Sequence, residues 1–265
     1  VVTLSGTGFT SSGLRCRFGA SGAVPASVHS ASEVRCVSPP HGASGWVAVE
    51  LVSFDGSLGV GGSFMYHARA WVSVVLPLLG PVEGGTRLTV LGSHFGESSS
   101  LSCRFGSVDG SSSVAARFVD SRQVECVSPV QAGAWSRSVE VTLNGQQFTS
   151  DGVSFTYVRA AAVSWVWPVQ GSAEGGTPLT VYGSGFSAAS ESLGYLQCRL
   201  NGTVVRAERL GSVGFASGEA VVCSSASWWS GYVSVEVSVN GLDFTSDGVQ
   251  YEAVWSVVSG VAPWS

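Results

Sequence analysis

The strongest constraint on the fold is a stretch of alternating apolar and polar residues that occurs more than once. In Val139–Tyr157 (VEVTLNGQQFTSDGVSFTY), an Asn-Gly and an Asp-Gly dipeptide interrupt the alternation. Both dipeptides tolerate positive φ and suit tight turns between antiparallel strands, so the stretch predicts three short strands joined by two turns. A close copy lies at Val235–Ala253, and a divergent one lies at Val49–Tyr66, where Asp55 begins the first turn. A unit repeated in this way indicates tandem domains.

Other short motifs recur in the same order around this stretch. Leu88–Phe95 (LTVLGSHF) and Leu179–Phe186 (LTVYGSGF) match the start of the chain (VVTLSGTGF), and each is preceded by Glu-Gly-Gly-Thr. The first copy lacks that lead, which predicts that the chain begins inside a domain, as a piece of a longer protein. The third repeat carries a few extra residues, which we place in a loop around Ser187–Gly194 or Gly211–Gly218.

The strand and turn signals predict an all-β chain. No helical periodicity of useful length interrupts them, and short strands bounded by turn residues favour antiparallel β-sandwiches of about seven strands each. The short links between repeats are rich in Val, Ala and Trp rather than Gly and Ser, which predicts a semi-rigid rod. The predicted domains are 1–67 (lacking its first strand), 68–159 and 160–253, with a fourth repeat starting at 254–265.

The six cysteines fall into three close pairs, one in each repeat. A zinc site would require Cys-x-x-Cys clusters with histidine nearby, whereas the four histidines are scattered. The pattern therefore favours disulfides and an oxidising compartment, with buried free thiols as the alternative. The predicted pairs are Cys16–Cys36, Cys103–Cys126 and Cys198–Cys223.

The ordered motifs carry a resemblance to a known family. The pattern EGGT.LTV.G..F, then C.FG, then V.CVSP, then V.V..NG..FTSDGV.F.Y resembles the IPT/TIG family over nearly the whole chain. The resemblance implies immunoglobulin-like folds and use in plexin-type receptors, fibrocystin-like proteins, and algal or protist surface proteins. Rel-type transcription factors also carry such domains and bind DNA through them. The net charge of −5 and the lack of basic clusters speak against nucleic acid as a partner here.

The chain has an unusually small share of charged residues. Charged residues make up 12%, against about 25% in ordinary soluble domains. No apolar run approaches the roughly 18 residues of a membrane helix, so we expect no direct membrane insertion by this segment. A surface so weakly charged is tolerable if it is covered. We therefore expect lateral packing against copies of the chain or another filament or coat protein, with a cover of O-linked glycans as the alternative.

Few residues suggest a chemical site. Asn201 begins the sole Asn-x-Ser/Thr sequon and is a candidate for an N-linked glycan, the alternative being an unmodified Asn-Gly turn. No Gly-x-Ser-x-Gly elbow, paired carboxylates or dense Asp cluster is present, so we expect neither an enzyme nor a metal or cofactor site. Trp71, Trp165 and Trp255 lie near the predicted domain junctions and are candidates for packing between domains.

These features predict a non-catalytic segment of a long extracellular or cell-surface glycoprotein. Its expected role is structural or adhesive, in a filament or coat such as a ciliary hair. The alternatives are the stalk of an adhesion or signalling receptor and the non-catalytic arm of a secreted enzyme. Sequence beyond the two ends of this segment would discriminate between them.

Overall fold

The computed structural model describes residues 1–9, 13–53, 56–106, 112–212 and 219–255. These residues form three consecutive β domains with a separate hydrophobic core in each. Three sequence-based expectations fall wholly or largely outside them: the turn at Asp55, most of the loop at 211–218, and the start of a fourth repeat at 254–265.

The strands are numbered in chain order. In the first domain they are β1 (Val2–Ser5), β2 (Arg15–Phe18), β3 (Val24–Ser30), β4 (Glu33–Cys36), β5 (Gly45–Ser53) and β6 (Gly56–Tyr66). In the second they are β7 (Trp71–Leu76), β8 (Leu79–Pro81), β9 (Arg87–Ser93), β10 (Ser102–Phe105), β11 (Ser112–Ala115), β12 (Arg117–Asp120), β13 (Gln123–Val127), β14 (Ser136–Thr142) and β15 (Ser154–Val158). In the third they are β16 (Ala162–Trp167), β17 (Gln170–Ser172), β18 (Pro178–Ser184), β19 (Gln197–Leu200), β20 (Thr203–Arg206), β21 (Glu208–Ser212), β22 (Glu219–Ser224), β23 (Gly231–Ser238) and β24 (Gln250–Val254), with helix α1 (Ala188–Ser192) between β18 and β19.

The second and third domains share one two-sheet topology. The second has a five-stranded sheet in the order β11-β10-β14-β15-β8 and a four-stranded sheet in the order β12-β13-β9-β7. The third repeats this as β20-β19-β23-β24-β17 and β21-β22-β18-β16. The prediction of tandem all-β immunoglobulin-like sandwiches is thus confirmed, although the described residues of each of these two domains form nine strands rather than about seven. One short strand in each, β8 or β17, pairs in parallel rather than antiparallel fashion.

In every domain a single segment connects the two layers of strands, and in the first domain it joins them into one continuous sheet in the order β1-β4-β3-β2-β5-β6. In the first domain β3 pairs with β2 at its start and with β4 afterwards, and the change falls at Ala26. In the later domains the segment is split into two strands around Ala116 and Ala207. All three alanine N–H groups donate to a leucine carbonyl, so the same backbone bond holds each crossing.

The disulfides join the two sheets at the centre of each core. Cys103 on β10 pairs with Cys126 on β13, and Cys198 on β19 pairs with Cys223 on β22. Cys16 and Cys36 make the equivalent pair in the first domain. The Cα atoms are 6.3–6.4 Å apart, and every cysteine is nearly fully buried. Inter-sheet disulfides of this kind are typical of immunoglobulin-like sandwiches.

The repeated Asn-Gly/Asp-Gly stretch forms two strands rather than the predicted three. In the second domain β14 and β15 are strands, but the middle run makes only an isolated bridge between Thr142 and Phe148. The ladder ends there because the Thr149 side chain, rather than a carbonyl, accepts the hydrogen bond from Val141 N–H. In the first domain the divergent copy is a long hairpin of β5 and β6, with bulges in its register.

The extra residues of the third repeat are accounted for in part by a short helix. Helix α1 lies in the loop around 187–194, one of the two places predicted for them. The Ser187 side chain accepts a hydrogen bond from Ala189 N–H and caps the helix start.

Candidate functional site

The Asn-Gly turn has the same internal structure in the second and third domains. Asn144 Oδ1 accepts hydrogen bonds from two backbone N–H groups in its turn, and Asn240 Oδ1 does the same. Each Asn side-chain amide also donates to the side chain three residues later, Gln147 or Asp243. The turn therefore fixes the direction of that later side chain, and Gly145 and Gly241 supply the positive φ that the turn needs.

A threonine just after the turn ties it back to the preceding strand. Thr149 N–H donates to Val141 O at 2.9 Å, and Thr149 Oγ1 accepts from Val141 N–H at 3.0 Å. Thr245 makes the same two contacts with Val237. The turn is thus held rigidly against the end of its sheet.

The Asp of the Asp-Gly dipeptide anchors the first strand of the same domain. Asp151 Oδ2 accepts from Val72 N–H at 2.8 Å, and Asp247 Oδ2 accepts from Val163 N–H at 2.8 Å. Charge-assisted bonds of this type are stronger than neutral ones. The motif therefore connects the end of each complete domain to its beginning.

A repeated ion pair covers the outer face of the same sheet. Arg104 pairs with Glu140 and stacks over Phe148, with its guanidinium carbon 3.8 Å from the ring centroid. Arg199 pairs with Glu236 and lies over Phe244 at 4.2 Å, and the first domain has the pair Arg17–Glu50. The glutamates that recur along the chain therefore serve cross-strand ion pairs.

The turn of the third domain contacts the second domain. Thr86, at the end of the Glu-Gly-Gly-Thr motif, is fully buried. Its hydroxyl donates to Asp243 Oδ2 at 2.5 Å and lies 3.4 Å from the Asn240 side-chain nitrogen. Asn240 and Asp243 are themselves bonded at 2.7 Å, so three side chains form a closed polar cluster across the junction.

The turn of the second domain contacts the first domain at the corresponding place. The amino-terminal nitrogen of Val1 donates to Gln146 Oε1 at 2.6 Å, and Gln146 Nε2 donates to Val1 O at 3.0 Å. Strand register shows that the places correspond, because Val2 and Leu88 both face the second cysteine of their domain, Cys36 or Cys126. Val1 is therefore one residue from the position that Thr86 occupies in the second domain.

A small cleft lies at the junction between the first and second domains. It is lined by the end of β6 and the following link, and by residues in and around the Asn-Gly turn of the second domain, including Phe148. Its volume is about 260 Å³, below the roughly 300–1,000 Å³ of typical ligand pockets. Tyr66, one of its lining residues, donates its hydroxyl to Pro39 O at 2.9 Å and so takes part in packing. The cleft is a seam between domains rather than a ligand pocket.

The sequence of each of these domains matches one family. A sequence model of the IPT/TIG domain matches residues 1–64, 71–157 and 161–253. The chain belongs to the IPT/TIG family. The disulfide described above is thus shared by three IPT/TIG domains in tandem, and the turn and the Asp anchor by the second and third of them.

The IPT/TIG segment is similar to short parts of much longer proteins. Human fibrocystin-L is 29% identical over 187 residues, which cover 69% of this chain and 4% of that protein. Mouse plexin-B2 is 32% identical over 124 residues, which cover 47% of the chain and 6% of that protein. The solved extracellular region of plexin A4 matches 96% of the chain and 27% of its own length, with 16% identity and a TM-score of 0.42. The chain therefore spans only a small fraction of the relatives it matches.

The three junction tryptophans are all substantially exposed. Trp71, Trp165 and Trp255 expose 44%, 46% and 50% of their surface. The Trp165 ring stacks on Tyr182 at a centroid distance of 3.9 Å, within its own domain. Trp255 lines a shallow groove beside Trp228 and Trp229. Packing of these tryptophans between domains stays a prediction.

Asn201 lies where a glycan could be attached. It is exposed, with a φ of 45°, in the two-residue turn between β19 and β20, and Gly202 follows with a φ of 94°. Positive φ at both central positions is the geometry that favours Asn-Gly in hairpins. Modification at this site stays a prediction.

The described residues offer little to support catalysis or metal binding. They contain no group of three or more His, Cys, Asp or Glu side chains able to hold a metal ion. Hydrogen bonds from Arg117 first, and from Arg87, lower the pKa of Glu125, and burial raises the pKa of Tyr157. One is a surface ion-pair group and the other a core phenol, so neither is a candidate acid or base. Within the same residues, no helix is long and apolar enough to cross a bilayer.

Sequence reasoning did not find the junction cluster. Thr86 belongs to the Glu-Gly-Gly-Thr motif, but the other residues of that motif are there to form a turn. The sequence around Thr86 therefore does not indicate that its side chain contacts another domain. The available signal was the pair of positions two and three residues after Asn144 and Asn240, which are occupied by Gln, Leu or Asp within an otherwise shared turn.

Proposed function

We propose that these IPT/TIG domains form a non-catalytic structural segment of an extracellular or cell-surface protein, where they act as a semi-rigid spacer of the receptor-stalk type. The observation that carries the proposal is the contact of Thr86 with Asn240 and Asp243. It adds a second attachment between consecutive domains beside the peptide link. The similarity to parts of plexins and fibrocystin-L supports an extracellular setting, as do the three disulfides.

Small-angle scattering tests the spacer role directly. Thr86→Val removes the hydroxyl with little change in shape and leaves the Asp243 carboxylate without that donor. We expect a broader pair-distance distribution for Thr86→Val and for Asp243→Ala than for the unmodified chain. Thr177→Val is the matched control, since Thr177 occupies the same position in the third domain. Distributions that stay unchanged in both junction variants would refute the spacer function.

Lateral packing in a filament or coat, such as a ciliary hair, is a second candidate function. It is favoured by one aromatic side chain that recurs in every domain, four or five residues before the glutamate of the cross-strand ion pair (Glu50, Glu140 or Glu236). Trp46, Trp135 and Tyr232 expose 72%, 46% and 69% of their surface. Exposed aromatic side chains are enriched at protein–protein interfaces, and the low charge leaves little to repel a neighbour.

Sedimentation velocity tests this packing. The chain made without glycans but with its disulfides should associate as concentration rises into the micromolar range. Serine at all three recurring aromatic positions should abolish that association, whereas Trp71→Ser, at a similarly exposed position outside the recurring set, should not. A monomer at every concentration would count against lateral packing and leave the spacer function standing.

A further inference from the structure

The third domain carries a copy of the surface that the second domain uses at its junction, and no other domain among the described residues covers this copy. Leu88 and Leu179 both pair with the second cysteine of their domain, which places Thr177 in register with Thr86. The two threonines share a backbone setting, since each N–H donates to a serine hydroxyl, Ser128 or Ser225. They differ in exposure: Thr86 is fully buried by the turn of the next domain, and Thr177 is partly exposed.

Beside Thr177, whose hydroxyl accepts from Ser172 N–H at 3.3 Å, lies the hydroxyl of Tyr251. Tyr251 is 2% exposed, and its Oη has no hydrogen-bond partner among the described residues. A Cβ placed on Gly171 would lie 2.2 Å from Tyr251 Oη and 2.6 Å from Thr177 Oγ1, so both hydroxyls converge on one side of Gly171. Phe155 takes the place of Tyr251 in the second domain, where the Asp243 carboxylate satisfies Thr86.

Within the part of the chain that the structure describes, the surface next to Thr177 is mainly apolar and exposed. Trp228, Trp229 and Trp255 line a shallow groove with Ala173 and Glu174. Trp229 is 80% exposed, and Trp228 donates its backbone N–H to Ala173 O as the equivalent Gln131 does to Val82 O. The groove is thus part of the same end of the sandwich as Thr177.

From this equivalence we infer that the Thr177 end of the third domain is a docking site for the Asn-Gly turn of a further IPT/TIG domain that follows directly in the same polypeptide. An aspartate three residues after the turn asparagine accepts from the Thr177 hydroxyl as Asp243 accepts from Thr86. The inference rests on the proposed spacer function and extends it, because the same type of contact would then hold successive domains of the chain together.

The experiment adds one domain of known junction behaviour after Trp255, in place of residues 256–265. Residues 160–254 are repeated after Trp255, which reproduces the link that follows Arg159 between the second and third domains. Thr177→Val in this four-domain chain should broaden the pair-distance distribution in scattering. Thr177→Ser, which keeps a hydroxyl, should not, and Thr177→Val in the chain without the added domain should also have no effect.

The outcomes separate the docking site from the spacer function. If Thr86→Val broadens the distribution but Thr177→Val in the extended chain does not, the docking site is refuted and the spacer function survives. If neither does, both fail. An apparent mass that rises with concentration only when the added domain is present, and falls with Thr177→Val, would show docking between chains and overturn docking within one polypeptide.

Discussion

In the repeated turn, a threonine side chain takes the place of a backbone hydrogen-bond acceptor. Thr149 is 8% exposed and its hydroxyl is the acceptor for a buried strand N–H. Thr149→Val should lower the free energy of unfolding by about 1–3 kcal/mol, because Val141 N–H is left buried without a partner. Denaturant titration measures the loss. Thr156→Val, which removes an exposed hydroxyl contact with Ser136, is the control and should change stability much less.

Asn201 is the residue at which the chain should carry a sugar. The exposed turn leaves its amide accessible. Protein from its native source should give a peptide containing Asn201 with an added hexosamine-bearing mass in intact-peptide mass spectrometry. Finding only the unmodified peptide would show that the sequon is an ordinary hairpin turn.

At the scale of elements, one carboxylate holds the opening strand of each complete domain. Asp151→Ala should free β7 locally, since Val72 N–H loses its acceptor. We expect faster hydrogen exchange at Val72 with little change at β10, measured by NMR or mass spectrometry. Asp151→Asn keeps an acceptor oxygen, so its exchange rate at Val72 should lie between those of the unmodified protein and Asp151→Ala. Equal protection in all three proteins would show that the strand pairing alone holds β7.

The disulfide also joins two strands of each domain. Replacing Cys103 and Cys126 together with alanine opens a link between β10 and β13 with a sequence separation of 23. Chain entropy predicts a loss of about 3 kcal/mol for a loop of this size. Calorimetry should show the transition of the second domain moving to lower temperature while the others stay in place. Non-reducing peptide mapping of the unmodified protein checks the pairing itself.

Sequence patterns predicted these elements unevenly. Alternation and turn dipeptides located most strands, because burial on one face imposes the two-residue period. They failed at the run around Phe148, where a side-chain hydroxyl replaces a ladder bond, and this substitution leaves no trace in the alternation. The Thr86 contact was also out of reach, since it joins residues separated by 157 positions.

For the whole molecule, the low charge makes association sensitive to pH. The net charge is −5 at pH 7 and the isoelectric point is about 5.3. The net charge falls towards zero as the pH approaches the isoelectric point, so repulsion between copies vanishes there. Light scattering should therefore show association rising from pH 7.5 to 5.5 and reversing on return. No rise over this range would indicate that charge does not limit contact between copies.

The second attachment at each junction also determines how such an array can bend. Two bodies tied at one point can swivel in every direction, whereas two ties leave only rotation about the line that joins them. The peptide link and the Thr86–Asp243 contact together act as the two pins of a hinge. A stalk built from these domains would therefore bend easily in one plane and resist bending in the plane perpendicular to it.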